Sequence, residues 1–184
     1  MEPSDDELIG RFRRGESRAF EELIARWDRR VLGLAYRLSR DVEEARDVRQ
    51  AAFLRAYQCL ATFNGQARFS TWMHQVVLNL CRDRARAVDA RERALAHTAG
   101  RADESVRVAP SPLAAAEKLE IADAVAEAIG ALPLPEREVL VLRHYQGLPF
   151  PEIAEVLGAP ASTVKSRMER ALARLRVSLS EWES

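Results

Sequence analysis

Thr163, Ser166, Arg167, Arg170 and Arg174 fall on one face at helical spacing, with Lys165 beside them. Arginine and lysine neutralise phosphates or donate to guanine edges, and serine and threonine can bond to either group. A helix that carries such residues has the right width for the DNA major groove. Val164, Met168, Ala171, Leu172 and Leu175 form an apolar stripe on the other side, which predicts a helix held against a core. Before it, Phe150, Ile153, Ala154 and Leu157 stand at i, i+3, i+4 and i+7, with Pro151 suited to a first turn and Gly158 to a stop. Two short helices around a turn, the second basic and hydroxyl-bearing, make a helix-turn-helix pattern. By spacing alone, an ordinary helical hairpin with a solvated charged face fits equally well.

A second set lies earlier in the chain. Gln75, Asn79, Arg82 and Arg86 recur at i, i+4, i+7 and i+11, next to the aromatic residues Phe69 and Trp72. A polar and basic stripe beside aromatic rings can bind nucleic acid, the rings stacking on unpaired bases. A solvated face over a Trp-anchored core explains the same spacing and is the commoner case.

The elements that must position these residues are helices. Ser4-Asp5-Asp6-Glu7 is a capping box for a short helix that Gly15 ends, and Ser17 is placed to cap the next. Phe20, Leu23, Ile24, Trp27, Val31, Leu34, Ala35 and Leu38 keep helical spacing and predict the main core helix. Asp41 and Glu44 open a helix to about Leu60, with Ala45, Val48, Ala52, Ala56 and Leu60 inward. Phe53, Leu54 and Tyr57 make that helix apolar on a second side, beside the polar Asp47, Arg49 and Gln50, and a partner surface is expected there. Phe63-Asn64-Gly65-Gln66 is a turn, and Ser70 is placed to cap a helix whose inward set is Phe69, Trp72, Met73, Val76, Val77 and Leu80.

From about Ala87 to Pro112 the periodicity fades into a linker. Ser111-Pro112 then opens a second helical unit, in which Ile121, Val125, Ile129 and Leu132 form one stripe and Val139, Leu140 and Leu142 another. The expected fold class is all-α: two small helical domains joined by a flexible linker, with domain boundaries at 5–88, 89–112 and 113–178.

Composition narrows the function classes. The 184 residues, 47% hydrophobic and 30% charged, describe a globular protein. No apolar run approaches a membrane span, and the acidic N-terminus lacks the regions of a signal peptide, so a cytoplasmic protein without membrane insertion is expected. The chain stops a few residues after its last helix, so no appended C-terminal domain is expected. Twenty-eight cations balance 28 anions, yet Lys165, Arg167, Arg170, Arg174 and Arg176 face only Glu169 at the C-terminal end. A local basic patch on a neutral chain suits DNA contact made with help from a larger partner.

Cys59 and Cys81 stand outside any CxxC, and His74, His97 and His144 are scattered, so two reduced, buried thiols and no metal site are expected. No cofactor is expected either. No paired acid and base, nucleophile constellation or metal-ligand spacing points to an enzyme.

Two separated segments resemble one family, the extracytoplasmic-function (ECF) sigma factors of bacterial RNA polymerase. The first runs from Ala45 to Ala56, with Phe63, then Phe69 to Met73 and Asn79 to Asp83 with Arg86. The second runs from Leu132-Pro133 to Leu142-Arg143, then Glu152-Ile153-Ala154, Leu157-Gly158 and Thr163 to Arg167 with Arg170-Ala171. Both occur in the family's order on either side of a linker. The resemblance implies a region-2 domain over 5–88 and a region-4 domain over 113–178.

It also implies roles for particular residues. Asp47, Val48, Arg49, Gln50 and Phe53 would bind the clamp helices of the polymerase largest subunit, and the region-4 domain would meet the flap. Phe63, Asn64, Gln66, Arg68, Thr71, Trp72, Gln75, Asn79, Arg82 and Arg86 would read and melt the −10-type promoter element. Ser162, Thr163, Lys165, Ser166, Arg167 and Arg170 would read the −35-type element. Core RNA polymerase, promoter DNA and an anti-sigma factor are the partners implied.

The chain departs from the family pattern at Arg46 and Arg49, where acidic and aliphatic residues are usual, and at Leu78, where a polar one is common. Ala161-Ser162 replaces a commoner apolar-glycine pair. Two other classes fit parts of the chain: a stand-alone helix-turn-helix transcriptional regulator with a sensing or dimerising N-terminal domain, and a helical adaptor that sequesters proteins. Neither explains both segments.

Overall fold

The computed structural model describes residues 2–63, 65, 67–98 and 116–182, and for 95–98, 116–123 and 181–182 the backbone alone. Among the described residues the helices are α1 (Asp5–Arg13), α2 (Ser17–Ser39), α3 (Val42–Leu60), α4 (Phe69–Thr98), α5 (Ala116–Ala131), α6 (Leu134–His144), α7 (Phe150–Leu157) and α8 (Ala161–Trp182), with no strand. The all-α class is as expected.

Local chemistry sets the ends. Ser4 Oγ accepts from the Glu7 N–H at 3.2 Å while a Glu7 carboxylate oxygen accepts from the Ser4 N–H at 2.6 Å, the reciprocal capping box. Asp41 Oδ1 accepts from the Glu44 N–H at 2.8 Å and starts α3. Gly158 ends α7 with φ 59°, a left-handed position that favours glycine. Ser17 and Ser70, expected as caps, are instead inside the first turns of α2 and α4, and Glu16 at the head of α2 makes no side-chain cap bond.

The N-terminal half packs α1, α3 and α4 around α2. Phe20, Leu23, Trp27, Val31, Leu34, Ala35 and Leu38 of α2 are all buried, as their spacing predicts. Asp5 pins α1 to α2 by accepting from the Trp27 indole N–H at 3.0 Å and from Arg26 at 2.7 Å. Ala45, Ala52 and Ala56 give α3 a buried stripe of small residues, over which neighbouring backbones can approach closely. Leu78 is 1% exposed, which explains an apolar residue where the family commonly has a polar one.

In the C-terminal half, Glu136 to Leu142 of α6 are all buried, a helix enclosed on every side. Ile153 and Val156 of α7 meet Val164, Met168 and Ala171 of α8 in this core. Leu172, expected in that stripe, is 48% exposed.

Two features differ from the expected tethered pair. First, α4 runs to Thr98, past position 88 where the linker was to begin. Residues 85–94 lack an apolar stripe but are rich in alanine and arginine, good helix formers that need no core to stay helical. The expected Ser111-Pro112 start of the second unit lies outside the described residues. Second, the two halves are docked, and their buried residues form one continuous cluster.

Arg82 of α4 forks onto Glu138 of α6 with bonds of 2.6 and 2.7 Å, and Glu138 is only 2% exposed. The bond to Glu138 holds the Arg82 pKa above its ordinary value. Arg137, 8% exposed, donates at 2.6 Å to the Leu38 carbonyl at the end of α2, and also to the carbonyls of Gly130 and Leu132 at the end of α5. It thus sits where the negative ends of two helix dipoles converge.

Candidate nucleic-acid interface

The expected polymerase surface lies on α3. Asp47 and Gln50 are exposed, Arg49 and Phe53 are half-buried, and Leu54 and Tyr57 add exposed apolar surface. Asp47 pairs with Arg84 of α4 at 3.3 Å, and Arg49 with Asp28 of α2 at the same distance. Arg49, one of the departures from the family pattern, is therefore held by a partner within the domain. Val48 is a correction to the expected contact set: it is fully buried, so its side chain supports the surface from below.

The described residues assigned to the −10-type element run from Phe63 and Arg68, just before α4, along that helix to Arg86. Phe63 stacks edge-on against Phe69 at 6.2 Å and Trp72 at 5.8 Å, and Phe69 in turn meets Trp27. Phe63 and Trp72 keep partial exposure, so this aromatic ledge is anchored in the core and open at its edge. Asn79 and Arg86 are exposed, Arg86 being paired with Asp83. Asn64 and Gln66 lie outside the described residues. Thr71 is the second correction: at 3% exposure it faces the core and offers nothing to a ligand.

The remaining three members of this set touch the other half of the chain. Gln75 donates to the Glu155 carbonyl at 3.1 Å, Arg68 lies 3.6 Å from Glu152, and Arg82 is spent on Glu138. These partners were missed in the sequence. A backbone carbonyl leaves no mark in side-chain spacing, and Glu138 looked like one more residue of an acidic segment.

The set assigned to the −35-type element is brought together on α8. Ser162, Lys165 and Arg170 are exposed, and Thr163, Ser166 and Arg167 are half-buried. Ser166 Oγ donates to the Thr163 carbonyl at 3.0 Å, so towards a ligand it can serve as an acceptor. Arg170 lies 3.6 Å from the buried Glu136 carboxylate, and Arg174 3.0 Å from it without hydrogen-bond alignment. Glu136 thereby steadies the end of the basic face, a role that sequence spacing did not suggest. Among the described residues no group of side chains could hold a metal ion, and no helix is long and apolar enough to cross a membrane.

Comparison with known proteins agrees with this layout. The family model for sigma-70 region 2 matches residues 23–91, and that for sigma-70 region 4 matches 122–175. The chain is 36% identical over 172 residues to the RNA polymerase sigma-H factor of Pseudomonas aeruginosa, covering 91% of this chain and 89% of that one. It is 33% identical over 189 residues to the ECF RNA polymerase sigma factor SigW of Bacillus subtilis, covering 98% and 100%. Among solved structures, CnrH in complex with the cytosolic domain of CnrY aligns with a TM-score of 0.69 at 29% identity, over 95% of this chain and 96% of that one. RpoE of Bartonella quintana, solved with the anti-sigma factor NepR, shares the fold with a TM-score of 0.68 at 22% identity, over 88% and 96%. The chain belongs to the sigma-70 family and, within it, to the ECF sigma factors that direct transcription initiation.

Proposed function

We propose that this sigma factor works in the cytoplasm as a two-point promoter reader and does no bond-making chemistry of its own. Asp47, Arg49, Gln50 and Phe53 of α3 hold the clamp helices of core RNA polymerase, and the region-4 half meets the flap. On that scaffold α8 enters the major groove of the −35-type element through Ser162, Thr163, Lys165, Ser166, Arg167 and Arg170. The ledge of Phe63 and Trp72, with Arg68, Gln75, Asn79, Arg82 and Arg86 and with Asn64 and Gln66 assigned by the family resemblance, takes an unstacked base of the −10-type element. Extruding a base costs a few kcal/mol, which stacking and pocket contacts offset. Two modest affinities on one scaffold then multiply through effective concentration.

The observation that carries this reading is the ledge itself: the half-exposed rings of Phe63 and Trp72, backed by the buried ring of Phe69. In the docked chain Arg68, Gln75 and Arg82 are engaged by α6 and α7, so loading onto polymerase has to release them. An anti-sigma factor fits the exposed apolar surface of Leu54 and Tyr57, which polymerase would otherwise cover. Run-off transcription from a genomic promoter library, with core polymerase and with or without this protein, tests the reading. Promoter-specific transcripts are expected only in its presence, and their absence across the library would count decisively against it.

A further inference from the structure

Between α2, the head of α4 and the turn from α6 to α7 lies a half-open cleft of about 420 Å³. Arg29, Arg30 and Arg37 line it from α2, Ser70 and His74 from α4, and Gln146 from the turn, with no carboxylate in the lining. Among the described residues none of the three arginines has a carboxylate partner. Arg30 lies 5.4 Å from the Trp27 ring centre, while Arg37 donates to the Gly33 carbonyl at 3.0 Å and covers the Tyr145 ring at 4.0 Å. This contrasts with Arg26 on the same helix and Arg49 on α3, each of which faces an aspartate.

His74 adds an independent sign. It is 5% exposed, and neither ring nitrogen has a well-aligned hydrogen bond, Gln146 being the polar side chain beside it. Buried polar groups left without partners are costly and rare. A polar cleft of this size, lined by three guanidinium groups and no carboxylate, concentrates positive potential, Glu152 lying behind the lining but near enough to act on His74. Guanidinium forks match phosphoryl oxygens in pairs.

We propose that this cleft binds a small phosphorylated anion, gripped by Arg29, Arg30 and Arg37, with Ser70, His74 and Gln146 completing the donor set. The volume suits a small molecule. Because the walls come from both halves of the chain, the ligand binds the docked arrangement and not the separated one. At ten times its Kd it would raise the docked population about 11-fold relative to the open one. On the promoter reading above, such a ligand acts as a brake on polymerase loading; the site itself does not rest on that reading.

Isothermal titration of the full chain with inorganic pyrophosphate at fixed ionic strength tests the site. Saturable binding is expected, weakened at least tenfold both in the Arg29→Gln/Arg30→Gln double variant and in Gln146→Ala, and unchanged in Arg91→Gln on the far part of α4. Arg29 and Arg30 are exposed, so the double variant keeps its fold, which circular dichroism would verify. Failure to saturate at millimolar pyrophosphate, equal weakening in Arg91→Gln, or full affinity in the double variant would each overturn the proposal. Full affinity in Gln146→Ala would remove the two-sided site. If Arg29 and Arg30 matter for a single-stranded oligonucleotide but not for pyrophosphate, the cleft is part of the promoter surface and the proposal fails.

Discussion

Replacing one partner of the Arg82 and Glu138 pair should loosen the docking of the two halves, and by different amounts depending on which partner goes. Removing one side of a fully buried ion pair typically costs ~3–5 kcal/mol, because a charge is stranded. Here the burial is lopsided: Glu138 is 2% exposed and Arg82 31%. In Glu138→Gln the guanidinium can turn towards water, so we expect a loss of about 1–2 kcal/mol, or roughly 5–30-fold in the docking equilibrium. In Arg82→Met the carboxylate stays buried without a partner, and the loss should approach about 3 kcal/mol, the lower end of the buried-pair range. The double variant Arg82→Met/Glu138→Leu strands nothing and should dock nearly as well as the parent chain.

Spin labels at Leu54 on α3 and Val177 on α8, both exposed, would report the distance between halves in a Cys59→Ser background. A single short population should broaden to longer distances in Glu138→Gln, open further in Arg82→Met and close again in the double variant. Identical distributions in all four chains would refute the reasoning, since docking would then owe nothing to this pair.

Other outcomes follow from the same structure. Arg167→Ala should cost about 1–3 kcal/mol of discrimination at the upstream promoter element if it reads a base edge, measured by competition among promoter variants; uniform weakening on all sequences would assign it to phosphate. Asp47→Ala or Gln50→Ala should weaken competition for core polymerase, and unchanged competition would remove the α3 surface from the interface. Burial holds the His74 pKa below its ordinary 6.5 and Arg30 lowers it further, against opposing effects of Gln146 and Glu152. Below pH 6.5 the unfolded imidazole therefore takes up a proton that the folded one refuses, so stability falls as pH drops through that window. Urea midpoints should show this slope in the parent chain and a shallower one in His74→Phe. Burial pushes the Cys81 thiol pKa up to about 12, so a thiol reagent at pH 8 should modify Cys59 in the native protein and reach Cys81 only after unfolding.

Much of the fold was legible because it is written in local chemistry. The Ser4 box, the Asp41 cap, the Gly158 stop and the apolar stripe of α2 are properties of short windows, and each stands where spacing placed it. Cys81 is buried as expected, whereas Cys59 is only partly covered. Val48 shows the limit of carrying a motif over as a block: its own periodicity had put it in the core while the family pattern counted it in the contact set. Docking could not be read, because two of its acceptors are the carbonyls of Leu38 and Glu155, which any residue type would supply, and its carboxylate, Glu138, stood in an acidic segment. The helical extension of α4 was hidden for the opposite reason, since it has propensity but no core-facing pattern.

The Arg137 contact gives the seam between the halves two different sensitivities. Its guanidinium meets neutral carbonyls deep in the protein, out of reach of dissolved ions, whereas Arg82 is partly open to them. Raising ionic strength would therefore slacken one fastening and leave the other tight. Full separation calls for an agent that competes for backbone acceptors or for the buried surface itself, such as a protein partner. A change in salt alone makes the seam breathe without parting it.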